Sequence, residues 1–204
     1  MGLSVAITGG IACGKSAFAG CLRRLGVEVL EADDVVHTLE APGGAAVELI
    51  RRRFGEGVIA ADGGVDRAKL AEQVFADAKA REELNHVLHP MVRQIVNAWR
   101  DRQAGVTMSA VVIPLLFEAG WECDWDVVIC VSSDTQAQVD RLMRFRGLSA
   151  EQARQRLDAQ FPTAEKTARA HLTVENNAGT EWLAEEAGRI YRLLMERSED
   201  EYRT

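Results

Sequence analysis

The stretch SVAITGGIACGKSAF, residues 4–18, constrains the fold more than any other part of the chain. A short apolar run is followed by glycines at 9, 10 and 14, then Lys15 and Ser16, then an apolar–polar alternation of helical period. Glycine is costly to order and an ammonium is costly to bury, so this cluster needs a physical reason. Gly9 and Gly14 frame the pattern G-x-x-x-x-G-K-[ST], closed by Lys15 and Ser16. A helix N-terminus leaves amide N–H groups unpaired and carries partial positive charge. A loop of small residues wraps those amides around a phosphate. Lys15 then reaches the β- and γ-phosphates, and the Ser16 hydroxyl serves Mg²⁺. The pattern therefore predicts strand, phosphate loop and helix in that order.

The candidate nucleotide-binding residues are Gly10, Ile11, Ala12, Cys13, Gly14, Lys15, Ser16 and Ala17. The other lysines are Lys69, Lys79 and Lys166, and none stands in the N-K-x-D pattern of guanine recognition. ATP is favoured over GTP on that ground. Cys13, beside Lys15 and near a helix N-terminus, has two readings: a thiol of lowered pKa, or a small filler with an ordinary thiol, which is the expected one.

Further strands are expected at VEVL (27–30), SAVVIPLLF (109–117), WDVVICVS (125–132) and HLTV (171–174), with helical stretches between them. Gly26 is placed to end the first helix. Alternating strands and helices predict an α/β fold with a parallel sheet. Residues 35–108 are too long for one crossover helix and read as a helical insertion, with a break at Pro90 in the run from Ala78 to Arg102. An arginine-rich helical pair occupies 134–160.

The formal net charge is −7, which argues against a global nucleic-acid-binding field. The four cysteines include no CxxC pair, so neither a zinc site nor a disulfide frame is expected. No apolar run approaches membrane-span length, and the start of the chain does not read as a signal peptide. A cytoplasmic protein, with no membrane, nucleic-acid or obligatory protein partner, is the expectation.

Asp33, in VEVLEADDVVH, falls just past the second strand, on the edge where open α/β sheets bind ligands. A carboxylate there can accept a proton from a hydroxyl or hold Mg²⁺ through water. Asp33 and Asp34 equally suit a helix N-cap. Phe117, Trp121 and Trp125 read as core or hinge packing.

Several separated segments together resemble the dephospho-coenzyme A kinase family. ITGGIACGKS resembles its phosphate loop, EADDVVH its D-A-D segment, LNHVLHP (84–90) its L-x-x-x-x-H-P signature and IPLLFEAG (113–120) its V-P-L-L-F-E segment. GLSAEQARQRLDAQ (147–160) resembles its lid and VENNAG (174–179) its late asparagine segment. The resemblance implies a P-loop kinase fold with a mostly parallel five-stranded sheet flanked by helices. It implies a single domain: a core at about 1–34, 109–133 and 170–204, an acceptor-binding insertion at about 35–108 and a lid at about 134–165. It implies transfer of the γ-phosphate of ATP, with Mg²⁺, to the ribose 3′-hydroxyl of dephospho-coenzyme A. Lys15, Asp33 and Arg141 are then catalytic candidates. Arg141, Arg144 and Asn177 join the ATP site, and Asp33, His89, Leu115 and Glu118 the acceptor site.

Some positions depart from the family pattern. Ala12 and Cys13 replace a glycine and a serine, and Ala17 a frequent threonine. Glu31 replaces the first aspartate of D-A-D, Val112 a common aspartate, and Phe145 the second arginine of R-x-x-x-R. Arg144 shares a helical face with Arg141 and is expected to compensate. The rival readings are a P-loop kinase of another small acceptor (nucleoside, nucleotide or shikimate-like) and an ATP-binding regulatory switch.

Overall fold

This computed structural model, which describes residues 2–201, is built on five parallel strands, of which the three central ones are apolar runs buried on both faces. The five are β1 (Leu3–Gly9), β2 (Glu28–Glu31), β3 (Met108–Val112), β4 (Val127–Ser132) and β5 (Leu172–Glu175). All pair in parallel, in the order β2-β3-β1-β4-β5. β1 is central and ends at Gly9, so the glycine loop leaves from the middle of the sheet's carboxyl edge.

Two compact units divide the chain: one holds the described residues up to Glu31 and from Arg100 onward, the other is Ala32–Trp99. In the first, α1 (Lys15–Arg24) follows the loop. Its end forms a Schellman motif: Val27 N–H donates to Leu22 O, Gly26 N–H donates to Arg23 O, and Gly26 adopts φ +88° as expected of it. α9 (Thr180–Glu201) presents Leu183, Ala187, Ile190 and Leu194 to the core shared with Phe18 and Leu22 of α1 and Val5, Ile7, Ile129 and Val131 of the sheet. The spacing of four, three and four residues is one helical face.

β3 stops at Val112 rather than running to Phe117 as expected. Pro114 has no N–H to continue a ladder, and the chain turns there; Thr8 Oγ1 donates to the Pro114 carbonyl. Residues 113–121 therefore form a loop at the carboxyl edge instead of a strand. Trp121 and Trp125 pack edge to face, centroids 5.7 Å apart, and both are buried, as the packing reading requires.

After β4 come α6 (Thr135–Arg146), α7 (Ala150–Asp158) and α8 (Thr163–Arg169). Gly147, at φ +64°, ends α6, and Ser149 and Gln152 make a reciprocal capping box on α7. The third helix was not foreseen, and the expected lid boundary at 165 falls inside it.

The second unit contains α2 (Ala32–Glu40), α3 (Val47–Phe54), α4 (Arg67–Ala76) and most of α5 (Ala78–Arg102). Buried Glu40 pairs with Arg67 at 2.7 Å, and Asp66 caps α4. α5 is continuous through Pro90, contrary to the expected break. Proline there removes the bond to the His86 carbonyl, but both residues are exposed, so the freed carbonyl is not stranded in an apolar interior.

Candidate active site

The loop from Gly9 to Ser16 is shaped by backbone sign changes. Gly14, the N-cap of α1, adopts φ +95°, and Ala12, at φ +59°, has positive φ although it is not glycine. Positive φ within such a loop turns successive amides toward one concavity. Ala12 thus stands where glycine costs nothing and alanine costs about 1 kcal/mol of backbone strain. The Gly14 site also lacks room, since a Cβ there would lie 2.2 Å from Asn176 Nδ2.

Lys15 Nζ donates to the carbonyls of Gly9 (3.1 Å) and Gly10 (2.9 Å). Ser16 Oγ donates to Glu31 Oε2 at 2.9 Å, and Arg23 braces the same carboxylate through Oε1. Glu31, the replaced family aspartate, thus places a carboxylate beside the hydroxyl expected to serve Mg²⁺. Two hard oxygen donors side by side at a phosphate loop suit that ion, which prefers few protein ligands.

Cys13 is fully buried, and burial pushes its thiol pKa up against the lowering effect of Lys15. Both observations favour the small filler over the reactive thiol. Ile11 and Ala12 pack on an apolar cluster of Val139, Leu142 and Ala153, so this side of the loop faces α6 and α7.

Arg141 Nη1 donates to Ala12 O (3.1 Å) and Ser133 Oγ (2.8 Å), and its Nη2 to Asn176 O (2.7 Å). Its guanidinium is engaged with the loop's flank. Arg144 is exposed, 5.3 Å over the ring of Phe145, which is itself 69 % exposed. Asn177 accepts from the Asp134 N–H and so holds the entrance to α6. Neighbouring Asn176, not singled out from sequence, is the asparagine that reaches the loop, donating to Cys13 O at 2.9 Å.

On the loop after β3, Leu115 is exposed, and Glu118 Oε1 accepts from the Phe161 N–H and lies 2.6 Å from Lys166 Nζ. Lys166 is wholly buried, and Glu118 Oε2 is buried without a hydrogen bond among the described residues. α8 is held a second time just past this loop, through an ion pair of Arg169 with Glu122.

In the second unit, Asp33 and Asp34 are exposed within the first turn of α2, one and two residues past its start, not at the capping position. His89 is on α5, and partial desolvation, followed by the His86 charge, holds its imidazole pKa below the usual range.

Besides Asn176, sequence reasoning missed Ser133, Gln138, Gln160 and Lys166. Gln138 carried a usable signal, standing three residues before Arg141 on one helical face. The burial of Lys166 had none.

A parallel sheet carrying this glycine loop at its central strand defines a P-loop nucleotide-binding protein. Three comparisons name the family. A family model for dephospho-CoA kinase matches residues 3–181. The chain is 42% identical to the dephospho-CoA kinase of Anaeromyxobacter dehalogenans, over 91% of this chain and 89% of the relative. It is 39% identical to that of Geobacillus kaustophilus, over 89% and 91%. A crystal structure from Thermus thermophilus superposes with a TM-score of 0.81 at 32% identity, covering 95% of this chain and 98% of that one. Campylobacter jejuni dephospho-CoA kinase superposes at 0.71 and 25% identity, covering 96% and 98%. Shikimate kinase from Acinetobacter baumannii, at 0.56 and 19% identity over 97% and 95%, shares the fold.

The chain belongs to the dephospho-CoA kinase family. It is a kinase, and the reaction of its family is the final step of coenzyme A biosynthesis. No helix among the described residues is long and apolar enough to cross a membrane.

Proposed function

We propose that this chain binds Mg-ATP at Gly10–Ala17 and transfers the γ-phosphoryl group to the ribose 3′-hydroxyl of dephospho-CoA, giving ADP and coenzyme A. The observation that carries the reading is the loop itself: amides turned by positive φ at Ala12 and Gly14, with Lys15 and Ser16 at the start of α1. Phosphoryl transfer asks the protein mainly for positioning and charge stabilisation. Lys15 exchanges its loop carbonyls for the β- and γ-phosphates. Ser16 and Glu31, hydrogen-bonded to each other at 2.9 Å, would hold Mg²⁺, which would supply positive charge beside the phosphates. Asp33 orients or deprotonates the acceptor hydroxyl. His89, Leu115 and Glu118 belong to the acceptor site, and Arg144 lends charge from the lid. The reaction runs in the cytoplasm on two small-molecule substrates, without an obligatory protein partner.

A coupled assay of ADP release tests this. Release that depends on dephospho-CoA, with coenzyme A as product, is expected. Equal release with shikimate or a nucleoside, or slow release indifferent to any acceptor, refutes it in favour of another kinase or of a switch.

A further inference from the structure

Amides that cradle an anion require their carbonyls to point elsewhere, and buried carbonyls pointing elsewhere need donors. In this loop every carbonyl from Gly9 to Cys13 has one. Lys15 serves Gly9 and Gly10. Gln138 Nε2 serves Ile11 at 2.7 Å, Arg141 serves Ala12 at 3.1 Å and Asn176 serves Cys13 at 2.9 Å. The last three donors come from α6 and from the segment after β5. Ile11 is held on its other side too, since its N–H donates to Gln160 Oε1 at 3.0 Å.

A trans peptide is planar, with its C=O and N–H antiparallel. Anchoring the Ile11 carbonyl therefore aims the Ala12 N–H the opposite way, and anchoring the Cys13 carbonyl does the same for Gly14. Gln138 is 1 % exposed, so water does not substitute for its amide. It also shapes the loop sterically, because a Cβ on Gly10 would lie 2.7 Å from Nε2. The apolar cluster beside it is supplied by Val139 and Leu142, not by Gln138.

We propose that Gln138 is a positioning residue for phosphoryl transfer, holding the Ile11 carbonyl outward so that the Ala12 amide faces the nucleotide phosphates. Arg141 and Asn176 do the same for the next two peptides. This rests on the reading that the loop binds ATP phosphates. A carbonyl released from Gln138 turns toward the phosphates and repels them, so the effect falls on ATP and spares the acceptor.

The test is Gln138→Met, matched in size but without a donor, with Gln138→Asn as a milder variant that keeps the amide and shortens its reach. Mg-ATP affinity is measured by calorimetry, with kcat and the separate KM values for ATP and dephospho-CoA. For Gln138→Met the expected result is a loss of about tenfold in ATP affinity, the ~1.4 kcal/mol of one buried hydrogen bond. KM for ATP rises alike, KM for dephospho-CoA stays within about twofold, and Gln138→Asn shifts in the same direction. ATP affinity and kcat within about twofold of wild type in either folded variant overturn the proposal, as does an equal rise in both KM values. A wild type that does not bind ATP overturns this and the proposed function together. A wild type that binds ATP without phosphorylating dephospho-CoA overturns only the proposed function, and the affinity comparison still decides the role of Gln138.

Discussion

Replacing Glu118 by leucine strands the ammonium of Lys166. That lysine is 0 % exposed, its Nζ lies 2.6 Å from Glu118 Oε1, and neither Nζ nor Glu118 Oε2 makes a well-aligned hydrogen bond among the described residues. Breaking a buried pair by removing one partner costs about 3–5 kcal/mol, because the remaining charge is uncompensated. The Phe161 N–H also loses its acceptor. At ~2–4 °C per kcal/mol for a chain of this size, the melting temperature of Glu118→Leu falls by roughly 6–20 °C. Lys166→Met costs less, about 1–3 kcal/mol, since Glu118 is 18 % exposed and keeps Phe161 and some water. The double variant Glu118→Leu/Lys166→Met returns to within about 1 kcal/mol of wild type, because the imperfectly bonded pair gains little over apolar packing. Because Glu118 is also proposed at the acceptor, the double variant regains stability without regaining turnover. Urea and thermal unfolding of the three variants measure this. A single-variant cost of Glu118→Leu below about 1 kcal/mol, or additive costs in the double, refutes the reasoning.

Lys15→Ala is expected to abolish transfer and weaken ATP binding, whereas Asp33→Asn folds, binds ATP normally and turns over slowly; near-normal rates for Asp33→Asn in steady-state assays remove it as base. Among the arginines of α6, Arg141→Ala costs most turnover, since its bond to the Ala12 carbonyl of the loop and those to Ser133 and Asn176 on its flank are lost, and Arg144→Ala costs more than Arg146→Ala. Indistinguishable kcat values for the last two leave Arg144 without a compensating role for Phe145. Burial raises the Cys130 thiol from 9.0 to about 12, so above pH 9 the unfolded chain releases a proton that the folded chain retains. Stability then falls with rising pH, by about 1.4 kcal/mol per unit, between those two values. The difference in unfolding free energy between wild type and Cys130→Ala should be constant below pH 9 and shrink above it; a difference flat to alkaline pH contradicts this.

Local chemistry was legible in the chain wherever it was written in consecutive residues. The apolar run, the glycines and Lys15–Ser16 dictate strand, loop and helix, because backbone sterics and helix-end electrostatics act over a few residues. Gly26 could be placed as a helix stop for the same reason. Pro114 ended a strand that its apolar neighbours would have continued, and Pro90 failed to end a helix. Exposure decided that second case, and exposure is a property of the packed molecule. Apart from the spacing that puts Gln138 on the Arg141 face of α6, which side chains serve the loop was decided only in three dimensions. Gln138, Asn176 and Gln160 lie more than a hundred residues from it in the chain, and parallel pairing of β1 with β4, and of β4 with β5, brings their elements to the same sheet edge. Burial likewise closed Cys13 off from solvent and set Lys166 against Glu118. Such contacts depend on long-range packing, to which the identity of a single residue carries almost no clue.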